Sequence, residues 1–309
     1  MIAPCFGGID VGGTAIKWRI VDETGELVDE GQERTSPHDI AVQAPQIAAD
    51  VARKHPRLAG IGIICPGVVD EGAGRVVFAS NLSLAGVELA SLVEDATGVS
   101  TRLMHDGRAA GLAEGLMGAG RGASSFIMMP IGTGISVALM LGDSLWAGAT
   151  FCAGEIGHSP IFPEGEACRC GQRGCLEVYA SAKGLARRYR NATGADIGAR
   201  AIERQLGIDP NATRVWDDAV YALAVSLTQL TLTVDPERII IGGGLSHAGS
   251  NLLSPLRERV RAMLKWRDAP PIVGAELAGD AGSWGAAILG AKAAGSTSYM
   301  TWRITGDSR

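Results

Sequence analysis

Aromatic residues are scarce in this chain, 5% of 309 positions, and it has no excess of positive charge: the formal balance is −5 at pH 7. Without a basic field nothing recruits a nucleic-acid backbone or an anionic membrane, so neither partner is expected. A long apolar run is missing too. The longest such stretch, residues 126–141, is broken by Pro130, Gly132 and Gly134 and cannot form a spanning helix. The start, MIAPCFGGID, lacks the basic segment of a secretory leader and runs straight into a strand-like stretch. A cytoplasmic protein is expected. Glycine, by contrast, is abundant, with 43 residues in a composition that is 46% hydrophobic and 20% charged. That fits a turn-rich globular chain and excludes a disordered or collagenous one. Single cores stop growing at around 250 to 300 residues, so two lobes are expected.

Residues 6–11 lead through Gly12-Gly13-Thr14 into 15–21, which reads as two strands joined by a glycine-threonine turn. The pattern returns at 126–131, Gly132-Thr133-Gly134 and 135–141, so the chain reads as a degenerate internal repeat with each copy opening a lobe. Apolar periodicity predicts helices over 40–55, 88–97, 107–117, 182–191, 195–205, 215–234, 251–266 and 282–294, with strands at 58–65 and 238–241. Alternating strands and helices give an α/β class. The expected division is a small lobe, residues 1–105, rejoined by a C-terminal helix, 282–295, and a large lobe, 106–281. A hinge is expected near 103–106, and residues 296–309, which lack an apolar period, are expected to form a mobile tail.

The first turn, Asp10-Val11-Gly12-Gly13-Thr14 with Lys17 close behind, offers unshielded backbone N–H groups, a hydroxyl and a cation. Such a loop can cradle phosphates. It is not a P-loop, because a strand rather than a helix follows, and a plain hairpin remains the alternative. Thr133 and Gly134 in the second turn, with Gly242-Gly243-Gly244 after a strand, make a nucleotide clasp between the lobes far more specific than any one turn does. Asp106 precedes a predicted helix, whose positive end favours an ionised carboxylate. It can serve as an ordinary N-cap or as a base that takes the proton of an attacking hydroxyl, and the two roles are compatible.

The most specific segment is Gly154-Glu155-Ile156-Gly157-His158 followed by Cys168-Arg169-Cys170, Cys175 and Glu177. Three thiolates and an imidazole, His158 with Cys168, Cys170 and Cys175, complete a closed tetrahedral set of the structural-zinc type; the alternative is a group of unliganded reduced cysteines. Cys5, Cys65 and Cys152 lie in apolar strand-like surroundings and read as small core residues. If one ring nitrogen of His158 binds the metal, the other can donate outward. Glu155 and Glu177 flank it, and either can hold ligand hydroxyls or serve a surface or supporting role.

Together these motifs, in this order and spacing over residues 6–294, resemble the ROK family (repressors, open reading frames, kinases), particularly its bacterial glucokinases. The resemblance implies an actin-like, hexokinase-type (ribonuclease-H-like) fold with a zinc-binding loop, two lobes closing over sugar and Mg-ATP, and phosphorylation of a sugar hydroxyl. It implies Asp106 as catalytic base, with Glu155, His158, Glu177 and Asn81 as sugar contacts, Gly67 beside them, and His105 before Asp106 in the same pocket. Gly12, Gly13, Thr14, Thr133, Gly134, Gly243 and Gly244 fall at phosphate and nucleotide contacts, with Asp10 near the metal; Lys17, read from the first turn itself, joins them as a cofactor-binding candidate. A homodimer is expected, as is usual in the family.

Three departures stand out. His105 occupies the place of the family's usual Asn, so a bulkier, titratable ring should change which substituents fit. Ser136-Val137-Ala138 replaces glycines after the second turn, and residues 81–86 lack an aromatic. Glucose is the first expectation for the acceptor; a C7 cyclitol or an N-acylated hexosamine is the alternative. A sugar-responsive repressor is disfavoured, since the first turn begins within ten residues and leaves no room for a helix-turn-helix module. A sugar sensor without turnover is disfavoured by the presence of Asp106.

Overall fold

The computed structural model describes residues 3–79, 82–142 and 144–303. Packing divides the chain into two compact units. One comprises Met1–Gly118, Gly148–Cys152 and Asp280–Arg309, the other Ala119–Ala147 and Ala153–Gly279.

The first unit opens with β1 (Cys5–Val11), β2 (Ala15–Asp22) and β3 (Leu27–Arg34), an antiparallel meander. Helix α1 (Ile40–Lys54) then crosses to β4 (Leu58–Cys65), which pairs parallel with β1. A small ladder of β5 (Val68–Asp70) and β6 (Arg75–Phe78) follows, then α2 (Leu89–Thr97), β7 (Thr101–His105) and α3 (Asp106–Met117). The strand order is β3-β2-β1-β4-β7.

In the second unit, β8 (Ser125–Pro130), β9 (Ala138–Leu141) and β10 (Ser144–Leu145) form the meander. Five helices follow: α4 (Leu176–Ala180), α5 (Ala182–Thr193), α6 (Ala199–Glu203), α7 (Pro210–Val234) and α8 (Ser250–Met263). β11 (Arg238–Gly242) and β12 (Ile272–Gly274) complete a sheet of order β10-β9-β8-β11-β12. This repeats the order of the first sheet strand for strand, as the duplicated turn pattern leads one to expect. Helix α7 starts cleanly: Pro210 sits in its first turn, and the Asp209 carboxylate accepts the Asn211 N–H at 2.8 Å. Its buried residues, including Leu223 and Leu227, join Ile127, Met129, Ile239 and Ile241 of the sheet in one core.

The last helix, α9 (Ala281–Ala293), returns to the first unit. Its sequence, AGSWGAAILGAKA, has almost no polar face, as befits a helix buried on most sides. It lies so close on the sheet that a Cβ at Gly62 would stand 2.1 Å from the Ala286 carbonyl. Among the described residues no helix is long and apolar enough to cross a membrane.

Two expectations are corrected here. Residues 103–106 are not a linker: His105 is the last residue of β7, paired with Cys65, and α3 packs on α9 within the first unit, which therefore extends to Gly118. Nor are the described residues of the tail loose. Trp302 is 0% exposed, packs with tilted rings against Phe6 and Trp284 at centroid distances of 6.1 and 6.2 Å, and donates its indole N–H to the Glu23 carbonyl at 3.0 Å. Tyr299, 8% exposed, is buried beside it, so two rings dock a segment that has no apolar period.

Candidate functional site

In the first unit, Asp10 stands near the end of β1, opposite Lys17 of β2 and beside Ile64 of β4. The turn that follows closes through the Gly12 N–H to the Ala15 carbonyl, while the Thr35 hydroxyl donates to the Gly12 carbonyl at 2.6 Å. Gly13 and Thr14 are left exposed, as a phosphate-cradling turn requires. Burial and then the Asp106 carboxylate push the Asp10 carboxyl up to about 6, with Lys17 opposing. The same two carboxylates, after burial, raise the Cys65 thiol, which stays protonated.

Holding Asp10 against its charge has a measurable sign. Between about pH 4 and 6 the folded chain keeps a proton that the unfolded chain releases, so this group's contribution to stability falls as pH rises through that window. Asp10→Asn is expected to exceed the parent by on the order of 2 kcal/mol at pH 7 and to match it below about pH 4, read from urea melts at both values. Equal stability at pH 7 would refute the strain assigned to this carboxylate.

Asp106 is the first residue of α3, and the cap is its neighbour. His105 accepts the Gly107 and Arg108 N–H groups on Nδ1, at 3.1 and 3.4 Å. Capping, one role open to Asp106 in the sequence, is thus performed by an imidazole. The Asp106 Oδ1 accepts the Gly107 N–H at 2.6 Å and lies 3.3 Å from the His105 Nε2. Behind them Arg108, 2% exposed, donates through Nε to Glu71 at 2.5 Å, and the same Glu71 oxygen accepts the His105 backbone N–H at 3.3 Å. Neither Glu71 nor Arg108 stood out in the sequence; the available signal was an arginine among the alanines and glycines of a buried helix. Gly67 lies just before β5, and Asn81 lies outside the described residues.

In the second unit, β8–β11 pairing sets Pro130 against Gly242 and so brings the second turn beside the third glycine cluster. Gly243 has φ +73°, and a Cβ there would meet the Ile131 backbone at 2.5 Å, so only glycine lets the two loops touch. Thr133 is exposed, with Gly134 next to it, and Gly244 begins a short 3₁₀ turn. Glu177, near the start of α4, accepts the Ile135 N–H at 3.0 Å. One of its oxygens thus braces the exit of the second turn. Glu155 is exposed, and among the described residues its carboxylate has no hydrogen-bond partner.

His158, Cys168, Cys170 and Cys175 converge, with their ligand atoms within 4.8 Å of one another. Cys170 and Cys175 sulfurs are 3.7 Å apart, and the His158 Nδ1 lies 3.8 Å from the Cys168 sulfur. Thiolates on a tetrahedral ion with bonds of about 2.3 Å stand about 3.8 Å apart, so the donor set fits such an ion, with Nδ1 turned inward. Burial opposes ionisation of Cys170, but hydrogen bonds from Gln172 and from the neighbouring thiols outweigh it and bring the thiol down to about 6. Burial and then the two neighbours push Cys175 up to about 12. The Cys170 and Cys175 sulfurs, 3.7 Å apart, cannot both ionise without a cation beside them.

The predicted residues therefore form two groups. Asp10, Gly12, Gly13, Thr14, Lys17, Gly67, His105 and Asp106 belong to the first unit, and the remaining described ones to the second. The ROK family's sequence model matches residues 6–293. A glucokinase of Halalkalibacterium halodurans is 32% identical over 285 residues, covering 83% of this chain and 85% of that protein. An N-acetylgalactosamine kinase of a Shewanella species is 30% identical, over 92% of this chain and 96% of its own length. The solved structure of a ROK family glucokinase from Streptomyces griseus in complex with glucose and AMPPNP superposes with a TM-score of 0.81 at 30% identity, covering 93% and 99% of the two chains.

Proposed function

The chain belongs to the ROK family, and from that premise we propose that it is an ATP-dependent sugar kinase that phosphorylates a primary hydroxyl of a hexose, glucose first. The observation that carries this reading is the free face of Asp106 at the start of α3, in a unit that also presents the open Gly12-Gly13-Thr14 turn. Asp106 would take the hydroxyl proton as the oxygen attacks phosphorus. Mg-ATP supplies the phosphoryl group and the cation that neutralises its charge. Gly12, Gly13, Thr14, Lys17, Thr133, Gly134, Gly243 and Gly244 would hold the phosphates and nucleotide, with Asp10 as the carboxylate nearest the cation. Glu155, His158 and Glu177, with Asn81 and Gly67, would hold the sugar.

The thiol cluster would hold a structural zinc that fixes the His158 ring. Stripping the metal with a chelator, verified by metal analysis, is expected to weaken sugar affinity about tenfold or more and to lower the thermal midpoint. Unchanged affinity after proven metal loss would separate zinc from the sugar site. The pairing of thiols with a metal rather than with one another suits a reducing compartment, so a cytoplasmic location, with a homodimer as the assembly, belongs to the same reading.

The acceptor has a second candidate class, the N-acylated hexosamines, because a relative at 30% identity is an N-acetylgalactosamine kinase; a C7 cyclitol follows. ADP release with Mg-ATP is measured against glucose, mannose, N-acetylated hexosamines and a C7 cyclitol. A preference for glucose upholds the first reading, a preference for another acceptor replaces it, and silence on all of them refutes the kinase assignment.

A further inference from the structure

We propose that Glu71 and Arg108 are positioning residues for Asp106: their ion pair fixes the corner between β7 and α3 on both sides of that residue and so sets where its carboxylate stands. The proposal rests on the reading of Asp106 as the base. Its starting point is a charge in an unfavourable place. Arg108 is the third residue of α3, where the positive end of the helix disfavours a cation, and at 2% exposure it has almost no access to water. Each nitrogen of its guanidinium donates to a different segment: Nε to Glu71 at 2.5 Å, Nη2 to the Val69 carbonyl of β5 at 3.4 Å, and Nη1 to the Phe151 carbonyl at 3.5 Å. Phe151 holds φ +63°, a left-handed conformation that persists in a non-glycine residue only where its surroundings impose it. The Glu71 oxygen that takes Nε also accepts the His105 backbone N–H at 3.3 Å. One carboxylate oxygen thus grips the residue before Asp106 by its backbone and the second residue after it by its side chain, all within the first unit. A buried ion pair is a weak source of stability, since apolar residues of like size often serve as well, but its charged hydrogen bonds hold a geometry. The geometry held here is that of the first turn of α3, which begins at Asp106.

Two variants are expected to separate stability from turnover in opposite directions. Glu71→Gln keeps an oxygen for both donors but leaves Arg108 a buried cation without a counter-charge. Its thermal midpoint should fall, while kcat, assayed well below that midpoint, stays within about threefold of the parent. Adding Arg108→Met removes the cation and fills its volume. The double variant should regain the midpoint yet lose about 10- to 100-fold in kcat, the scale of a misplaced catalytic group, at an unchanged sugar KM. A pair that only held the fold together would give the reverse, with turnover following the midpoint. Three results would overturn the proposal: parental kcat in the double variant, a loss confined to sugar KM, or a Glu71→Gln chain that loses as much kcat as the double variant. Asp106→Asn is run alongside. Normal turnover there removes the base reading and the proposal with it, whereas a disabled Asp106→Asn beside a fully active double variant removes only the positioning role. Should the double variant fail to fold, Arg108→Lys decides. An ammonium keeps the charge but lacks the planar fork that serves Glu71, Val69 and Phe151 together, so kcat should still fall about tenfold, and parental turnover would overturn the proposal equally.

Discussion

Asp106→Asn is expected to fold and bind sugar while losing about 10²- to 10⁴-fold in turnover, the usual worth of a general base. The substitution is nearly isosteric. It keeps an oxygen able to accept the Gly107 N–H, and the helix remains capped by His105, so the start of α3 has no reason to unravel. What disappears is the capacity to accept a proton, since a carboxamide does not. The effect should therefore lie in kcat, with sugar binding, followed by calorimetry, close to the parent's. A variant that turns over normally would leave α3 with an incidental acid at its first position. The neighbouring Asp10 is pushed up by burial and then by Asp106.

Trp302→Ala carries the largest expected effect on stability. Removing a fully buried aromatic ring costs about 3–5 kcal/mol, through lost transfer energy and the cavity left behind. Here the ring also donates to the Glu23 carbonyl, which would be left without that donor, and lies against Trp284, itself covered by the Arg19 guanidinium at 5.1 Å. Arg19 is tied in turn to Glu30 and Asp280, so the loss should spread to the β2–β3 hairpin and the start of α9. The thermal midpoint is expected to fall by about 10 °C, with calorimetry as the measurement. A midpoint within a degree of the parent's would show that the docked C-terminal segment contributes nothing.

Features encoded over short spans were legible in the sequence. The thiol-imidazole cluster occupies residues 158–175 and its spacing alone suggests an ion, and each glycine turn sits between two strand-like runs. The relatedness of the two units was legible in the repeated turn pattern, although the strand order was not. Features built from distant partners were not legible. Arg108 and Glu71 lie 37 positions apart, and nothing local marks either as the other's counterion. His105 as a cap was missed because imidazole is not among the customary capping side chains, and attention fell on the acid next to it. β3 escaped because, as an edge strand, it has no buried alternate face: LVDEGQER is mostly exposed. The predicted helix 195–205 shrank to Ala199–Glu203, since the stretch contains Gly198 and only Ile202 is buried.

The path of α9 bears on how the chain is made. The sheet face lined by Gly8 and Gly62 is covered by residues 281–293, and the Trp302 contact to Glu23 joins positions 279 apart. On a ribosome the N-terminal unit is synthesised first yet cannot be finished until the last helix emerges, while the second unit is complete before it. Folding is thus out of step with synthesis: the earlier half waits, with an apolar sheet uncovered, for the far end of the chain. High contact order of this kind slows folding and lengthens exposure to aggregation. A chain shortened before residue 281 would therefore fail at its beginning rather than at its end.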